Sequence, residues 1–77
     1  MSLDNLFLNA EMRMLPPPWQ RREIREAAGI TQAELADALG VSRAAVARWE
    51  SGGRAPRRSI ALDYANALRE IQARTAP

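Results

Sequence analysis

The sequence predicts an all-α fold, a compact domain of four to five helices preceded by an extra amphipathic helix at the N-terminus. Apolar residues recur at the spacings of three and four that a helix uses to pack one face. Glycines and prolines divide this pattern into segments of helical length, and no stretch alternates as a strand does. With 77 residues, the chain can form only one small domain.

The first predicted helix covers residues 2–15. Ser2 or Asp4 could cap its start, and five apolar residues fall at helical spacing: Leu3, Leu6, Phe7, Ala10 and Met14. Three consecutive prolines at 16–18 end it, because they cannot continue a helix. We therefore divide the chain into an N-terminal segment with a proline linker, residues 1–18, and a domain over residues 19–77.

The domain begins with a helix predicted over about residues 19–28. Its inward side would carry Ala27 together with either Trp19 or Ile24, and Gly29 supplies the stop. A second helix is predicted from the capping box at Thr31 to Glu34, in which each side chain binds a free backbone N–H group.

The second predicted helix places Leu35, Ala36 and Leu39 on one face, and Gly40 can adopt the left-handed conformation that ends it. A third helix, capped by Ser42, is predicted to run to about Trp49, before Ser51, Gly52 and Gly53 break the chain. After Pro56, a fourth helix has four large side chains on one face, and it would fray toward the C-terminus. These side chains are Ile60, Tyr64, Leu68 and Ile71.

The composition excludes several classes of function. Cysteine and histidine are both absent, which excludes disulfides, thiolate or imidazole metal sites, and nucleophiles built on either residue. The remaining carboxylates and hydroxyls show no catalytic spacing, so we expect neither an enzyme nor a cofactor. No signal peptide and no apolar run of membrane-spanning length is present, which predicts a cytoplasmic protein without a membrane partner.

The positive charge is concentrated in one segment. Between Arg43 and Arg58, five arginines stand against the single acid Glu50, a net charge of +4, whereas the rest of the chain has six arginines and eight acids. A basic segment on an otherwise slightly acidic molecule is typical of a protein that binds a polyanion. A solvated basic face remains the alternative on charge alone.

The residue types between Thr31 and Ser51 fit a helix-turn-helix at about 31–51. Where its two helices cross, one position must be small, and Ala36 fills it; four residues later, Gly40 suits the turn. Val46 and Trp49 would hold the second helix against the body. The opposite face then points outward, with Arg43, Ala44, Ala47 and Arg48.

The stretch GITQAELADALGVSRAAVARWESGGRAP resembles the helix-turn-helix of the lambda-repressor-like family, of the Cro/cI (Xre) type. The similarity covers roughly residues 24–68. It implies that Gln32 binds a phosphate and braces the recognition helix. It also implies that bases of double-stranded DNA are contacted by Arg43, Ala44 and Arg48. Arginine can donate two hydrogen bonds to guanine, and alanine can contact a thymine methyl group.

The resemblance further implies phosphate contacts after the third helix, from Ser51, Arg54 and Arg57 or Arg58. Ser42 could add a phosphate contact to its capping role, and Arg21 and Arg22 could add others. Arg25 and Glu50 resemble a pair that forms an internal salt bridge in this family. Trp49 and Tyr64 are assigned to the core.

The family usually continues with a turn and a fifth helix, often used for dimerisation, whereas here residues 68–71 continue helically. We expect residues 2–15 to replace that element, by packing on the domain or by forming the dimer contact; a disordered arm is the alternative. The predicted function is a transcriptional regulator, a repressor that binds a palindromic operator as a homodimer, from a prokaryote or a phage. The alternative is an antitoxin-like module that binds a partner protein through residues 2–15 and binds DNA for autoregulation.

Overall fold

The computed structural model describes residues 15–75 together with Leu3 and Leu6. Four helices follow one another between residues 15 and 75, and that range contains no strand: α1 (Pro18–Ala27), α2 (Gln32–Leu39), α3 (Arg43–Ser51) and α4 (Arg58–Thr75). The prediction of an all-α fold is therefore confirmed. The helix expected over residues 2–15 lies outside the described residues except for Leu3, Leu6 and Leu15; Leu3 and Leu6 are helical and exposed.

Helix α1 begins with Pro18 at its first position, where the missing N–H group would have no partner in any case. Ile24 is buried, which decides between the two expected inward residues, because Trp19 is 63% exposed. Ala27 is also exposed, so its predicted inward orientation is wrong. The inward side of α1 carries Gln20, Ile24 and Ala28, which are four residues apart. Ala27 precedes Ala28 by one residue and is therefore rotated by about 100° around the helix axis, away from this side.

Helix α2 begins with the predicted capping box. The Glu34 amide donates to the Thr31 hydroxyl at 3.1 Å, and the Thr31 amide donates to the Glu34 carboxylate at 2.9 Å. Hydrogen bonds from the backbone and side chain of Thr31 lower the pKa of Glu34. At the other end, Gly40 has φ of 69° and ψ of 33°, which lets the Val41 amide reach back to the Ala36 carbonyl.

Helix α3 is capped by Ser42, whose hydroxyl accepts a hydrogen bond from the Ala45 amide at 3.1 Å. It ends at Ser51, two residues later than predicted. Helix α4 is continuous for 18 residues, so no separate fifth helix interrupts the range from Arg58 to Thr75. None of the helices in the described part of the chain has both the length and the apolar character needed to cross a bilayer.

The core lies where the four helices meet, with α3 packed against α1 and α2, and α4 also packed against both. The rings of Trp49 and Tyr64 contact each other there, with centroids 5.2 Å apart, and both residues are buried in the core as predicted. The buried cluster contains Ile24, Leu35, Ala36, Val46, Trp49, Tyr64 and Leu68. Because α3 is anchored by Val46 and Trp49, its opposite edge faces solvent.

Candidate nucleic-acid interface

The N-terminal end of α3 is exposed to solvent. Ser42 caps the helix, and Arg43 and Ala44 in its first turn are both exposed. One turn later, Ala47 is half-buried and Arg48 is exposed. The outward orientation predicted for this face is therefore observed for three of the four residues, and partly for Ala47.

The structure brings Gln32 and Arg43 together, although eleven positions separate them. Gln32 is the first residue of α2 and is half-buried. Its side-chain oxygen Oε1 accepts a hydrogen bond from Nη1 of Arg43 at 3.2 Å. This contact joins the first residue of α2 to the first residue of α3 across the turn at Gly40. Gln32 thus contacts the first turn of α3 through its side chain.

The salt bridge that the resemblance implied is present, between Arg25 of α1 and Glu50 of α3. Arg25 donates two hydrogen bonds to Glu50, from Nε to Oε2 at 2.6 Å and from Nη2 to Oε1 at 2.9 Å. The two side chains are only 9% and 2% exposed. Burial alone would raise the pKa of Glu50, but hydrogen bonds from Arg25 and Gln32 and the charge of Arg25 lower it. The hydrogen bond to Glu50 raises the pKa of Arg25, so both groups stay ionised.

A second group of predicted residues surrounds a cleft between α3 and the start of α4. Arg48, Arg54 and Arg57 line it, and its apolar floor includes Trp49 and Ile60. We call this the α3–α4 cleft. Three guanidinium groups around one concave surface can hold an anion such as a phosphate by charge-assisted hydrogen bonds.

Ser51 and Arg58 are both exposed, at the end of α3 and the beginning of α4. The Ser51 hydroxyl donates to the carbonyl of Arg48 at 3.0 Å, which leaves its oxygen lone pairs available as acceptors only. A phosphate contact from this hydroxyl would require that internal hydrogen bond to break. No hydrogen bond to another residue within 15–75 restrains the side chain of Arg58.

Arg21 and Arg22 differ although they are adjacent. Arg21 turns into the protein, donating from Nε to the Pro16 carbonyl at 2.6 Å, and its guanidinium lies 5.6 Å from the centre of the Tyr64 ring. Arg22 stays on the surface, pairs with Glu26 at 3.1 Å, and lines a second cleft with Gln32 and Arg43. The structure therefore assigns an internal role to Arg21, and of the two only Arg22 lies beside the first turn of α3.

The electrostatic balance of this surface is strongly positive. Within residues 15–75, the exposed arginines of α3, of the following loop and of the first position of α4 form no ion pair with an acid. They are Arg43, Arg48, Arg54, Arg57 and Arg58. Their charges are not neutralised inside the protein, so a polyanion can approach them without breaking an internal pair.

One interaction of the site was not predicted from the sequence. Nε2 of Gln32 donates to Oε1 of Glu50 at 3.1 Å, which links the Gln32–Arg43 pair to the buried salt bridge. No local signal could have found it, because the two residues lie 18 positions apart on different helices.

A family model described as Helix-turn-helix matches residues 22–72, about two thirds of the chain. No curated protein and no solved structure matches the chain. The matched range contains α2 and α3 whole, together with every residue that the sequence assigned to the interface except Arg21.

Proposed function

This chain belongs to the lambda-repressor-like helix-turn-helix family of DNA-binding regulators, of the Cro/cI type, and from that premise we propose that it is a repressor that binds a palindromic operator as a homodimer. The observation that carries the proposal is the exposed first turn of α3, braced by the hydrogen bond between Gln32 and Arg43. We propose that the helix spanning residues 42–50 enters the major groove of double-stranded DNA.

Base recognition would fall mainly to Arg43 and Ala44. A guanidinium group can donate in parallel to O6 and N7 of guanine, and a methyl side chain can contact the methyl group of thymine. Ala47 lies on the same side one turn later, where its small side chain allows close approach to the bases. Arg48 has two possible partners, a base edge or a phosphate. Its place beside the α3–α4 cleft favours the phosphate.

Phosphate contacts would flank the outward face of α3 on both sides. Gln32 and Ser42 lie at the N-termini of α2 and α3, where free backbone N–H groups favour an anion. On the other side, the α3–α4 cleft presents Arg54 and Arg57, and Ser51 and Arg58 lie close to it in sequence. Contacts on both sides would fix the orientation of α3 in the groove.

The homodimer follows from the number of contacts. One helix-turn-helix offers only a few side chains to base edges, which is too few for tight and selective binding. Two copies on half-sites about 34–36 Å apart would double those contacts and give the operator two-fold symmetry.

The test is a selection of bound sequences from random duplex DNA with the full chain. The proposal predicts one enriched motif with two inverted half-sites about one helical turn apart. An enriched motif without inverted symmetry would refute the palindromic dimer, and no enrichment at all would refute sequence-specific binding.

Two single variants then separate base contacts from phosphate contacts. On the selected operator, Arg43→Ala should cost about 1–3 kcal/mol and relax selectivity at one base pair. Arg54→Ala should weaken binding to all sequences alike and reduce the salt slope by about one. Titrations by fluorescence anisotropy at several salt concentrations measure both effects; equal loss of selectivity in the two variants would contradict the assignment.

A second candidate function is the binding of a partner protein, as in an antitoxin, through the N-terminal segment. Leu3 and Leu6 favour it, since both are helical and are 71% and 49% exposed. Exposed leucine side chains are available for docking on an apolar surface. Light scattering on a chain lacking residues 1–15 tests the dimer role of this segment. A monomer would assign the segment to dimerisation, and an unchanged dimer mass would refute that role.

A further inference from the structure

Four side chains form one continuous hydrogen-bonded series from α1 to the first turn of α3: Arg25, Glu50, Gln32 and Arg43. We propose that Glu50 is a positioning residue for base recognition, which orients the amide of Gln32 and through it the guanidinium of Arg43. This inference rests on the proposed role of Arg43 in contacting a base. It gives the buried salt bridge a part in selectivity beyond its part in stability.

The first step is the orientation of the Gln32 amide. A carboxylate can only accept hydrogen bonds, and a guanidinium can only donate them. Gln32 lies between one group of each kind, with Nε2 at 3.1 Å from Glu50 and Oε1 at 3.2 Å from Arg43. Rotating the amide by 180° would break both hydrogen bonds, because the Gln32 oxygen would then face the Glu50 carboxylate and the Gln32 NH2 group would face the Arg43 guanidinium. Glu50 and Arg43 together therefore permit only one orientation of this amide.

The second step is the rigidity of Glu50. Its side chain is 2% exposed and accepts two hydrogen bonds from Arg25. Arg25 is fixed in turn, because its Nη1 donates to the carbonyl of Ile30 at 2.8 Å. Oε1 of Glu50 thus holds a constant position as the acceptor for Gln32. A solvent-exposed carboxylate could not do this, since it would rotate freely.

The third step is the effect on Arg43, whose side chain is exposed. An unrestrained arginine on the surface occupies many rotamers and loses that freedom when it binds. Here, one N–H of Nη1 is held by Gln32, while the donors on Nε and Nη2 remain available for a base. Gln32 also retains a second N–H on Nε2 for a phosphate. The same amide can therefore serve the base contact and the phosphate contact together.

A purely structural salt bridge would behave differently. The bond between Arg25 and Glu50 already joins α1 to α3, and this link does not require Gln32. If the pair served stability alone, its removal would change melting and overall affinity. If Glu50 positions Arg43, its removal will change the preference at one base pair.

The experiment replaces the pair in full, with Arg25→Met and Glu50→Met together. Exchanging both charges for apolar side chains of similar size leaves no uncompensated buried charge, and such exchanges are commonly neutral or stabilising. Circular dichroism checks the fold, and binding is measured on the selected operator and on operators with single base changes. The preference at the base pair contacted by Arg43 should fall roughly tenfold, with preferences at other positions unchanged.

Two further variants complete the design. Ile71→Ala, in the C-terminal half of α4, lowers stability and should leave the preference unchanged. Adding Gln32→Met to the double variant should reduce the preference at this base pair no further, because the connection is already broken. An unchanged preference in the folded double variant overturns the proposal, as does an equal loss at every position.

A measurement without DNA separates this proposal from the proposed function. NMR of the free chain reports the side-chain amide of Gln32 and its contact with Arg43. In the wild-type chain, this amide should be rigid and close to Arg43, and in the double variant it should become mobile. If the chain selects no DNA sequence, the proposed function fails. The positioning of Arg43 by Glu50 is then overturned by a mobile wild-type amide and supported by a rigid one.

Discussion

Replacing Gly40 by alanine tests whether the turn of the helix-turn-helix depends on a left-handed residue. Gly40 has φ of +69°, and a Cβ atom built there would meet no heavy atom within 4 Å. The cost is therefore conformational and not steric, about 1–2 kcal/mol for an alanine in the left-handed region. Alanine also restricts the unfolded chain, which offsets about 0.4–1 kcal/mol of that cost.

The net expectation is a loss of about 0.8 kcal/mol in the free energy of unfolding for Gly40→Ala. In a chain of this size, such a loss lowers Tm by about 3–6 °C. Thermal unfolding followed by far-ultraviolet circular dichroism measures the shift, and urea titration at 25 °C gives the free energy independently.

Gly53→Ala is the matched control, because it makes the same chemical change in the same chain. The φ of Gly53 lies outside the left-handed region, and its added Cβ would meet Ser51 Oγ at 3.5 Å, an ordinary contact. Without the backbone cost, this variant should gain about 0.4–1 kcal/mol. If Gly40→Ala melts at the same temperature as Gly53→Ala, the reasoning about the turn is refuted.

Two further predictions concern the core and the buried salt bridge. Val46→Ala removes two methyl groups from a fully buried side chain and should cost about 2 kcal/mol of stability, measured by urea unfolding; a cost near zero would mean that α3 is not anchored there. Because folding lowers the pKa of Glu50, this carboxylate contributes fully to stability at pH values above its unfolded-state pKa near 4.5. That contribution to stability is lost as the pH falls through the lower pKa of the folded state. Tm measured from pH 7 to pH 3 should therefore drop less steeply when Arg25 and Glu50 are both methionine. Glu34, whose pKa is also lowered, loses its contribution to stability at low pH equally in both chains. Equal slopes of Tm against pH in the two chains would therefore contradict the prediction.

Much of the fold could be predicted because its signals are local. The capping box at Thr31, the cap at Ser42 and the left-handed Gly40 are each encoded by a few adjacent residues, and all three form as expected. The end of α3 was less well predicted, since Ser51 has no strong preference to stop a helix before Gly52. The inward side predicted for α1 was also partly wrong, because periodicity alone left Trp19 and Ile24 as alternatives and assigned the exposed Ala27 to the core side.

The candidate site could be predicted as a set of residues but not as an arrangement. The sequence alone indicated which side of α3 faces outward and which segment carries the positive charge. The pairing of Arg25 with Glu50 came only from the resemblance to a known family. The internal role of Arg21 was not predicted, since its acceptor at Pro16 and its contact with Tyr64 depend on how α1 packs against α4.

The sequence by itself determined the helix-turn-helix between Thr31 and Ser51, because capping, turn formation and helical period are properties of neighbouring residues. Only the tertiary structure decided how that motif is supported. It placed Gln32 between Glu50 and Arg43, and it gathered Arg48 with the arginines of the following loop around one cleft. Hydrogen bonds between residues 11 and 18 positions apart form only after the helices pack. Their geometry depends on the crossing of α2 and α3, which no short stretch of sequence specifies.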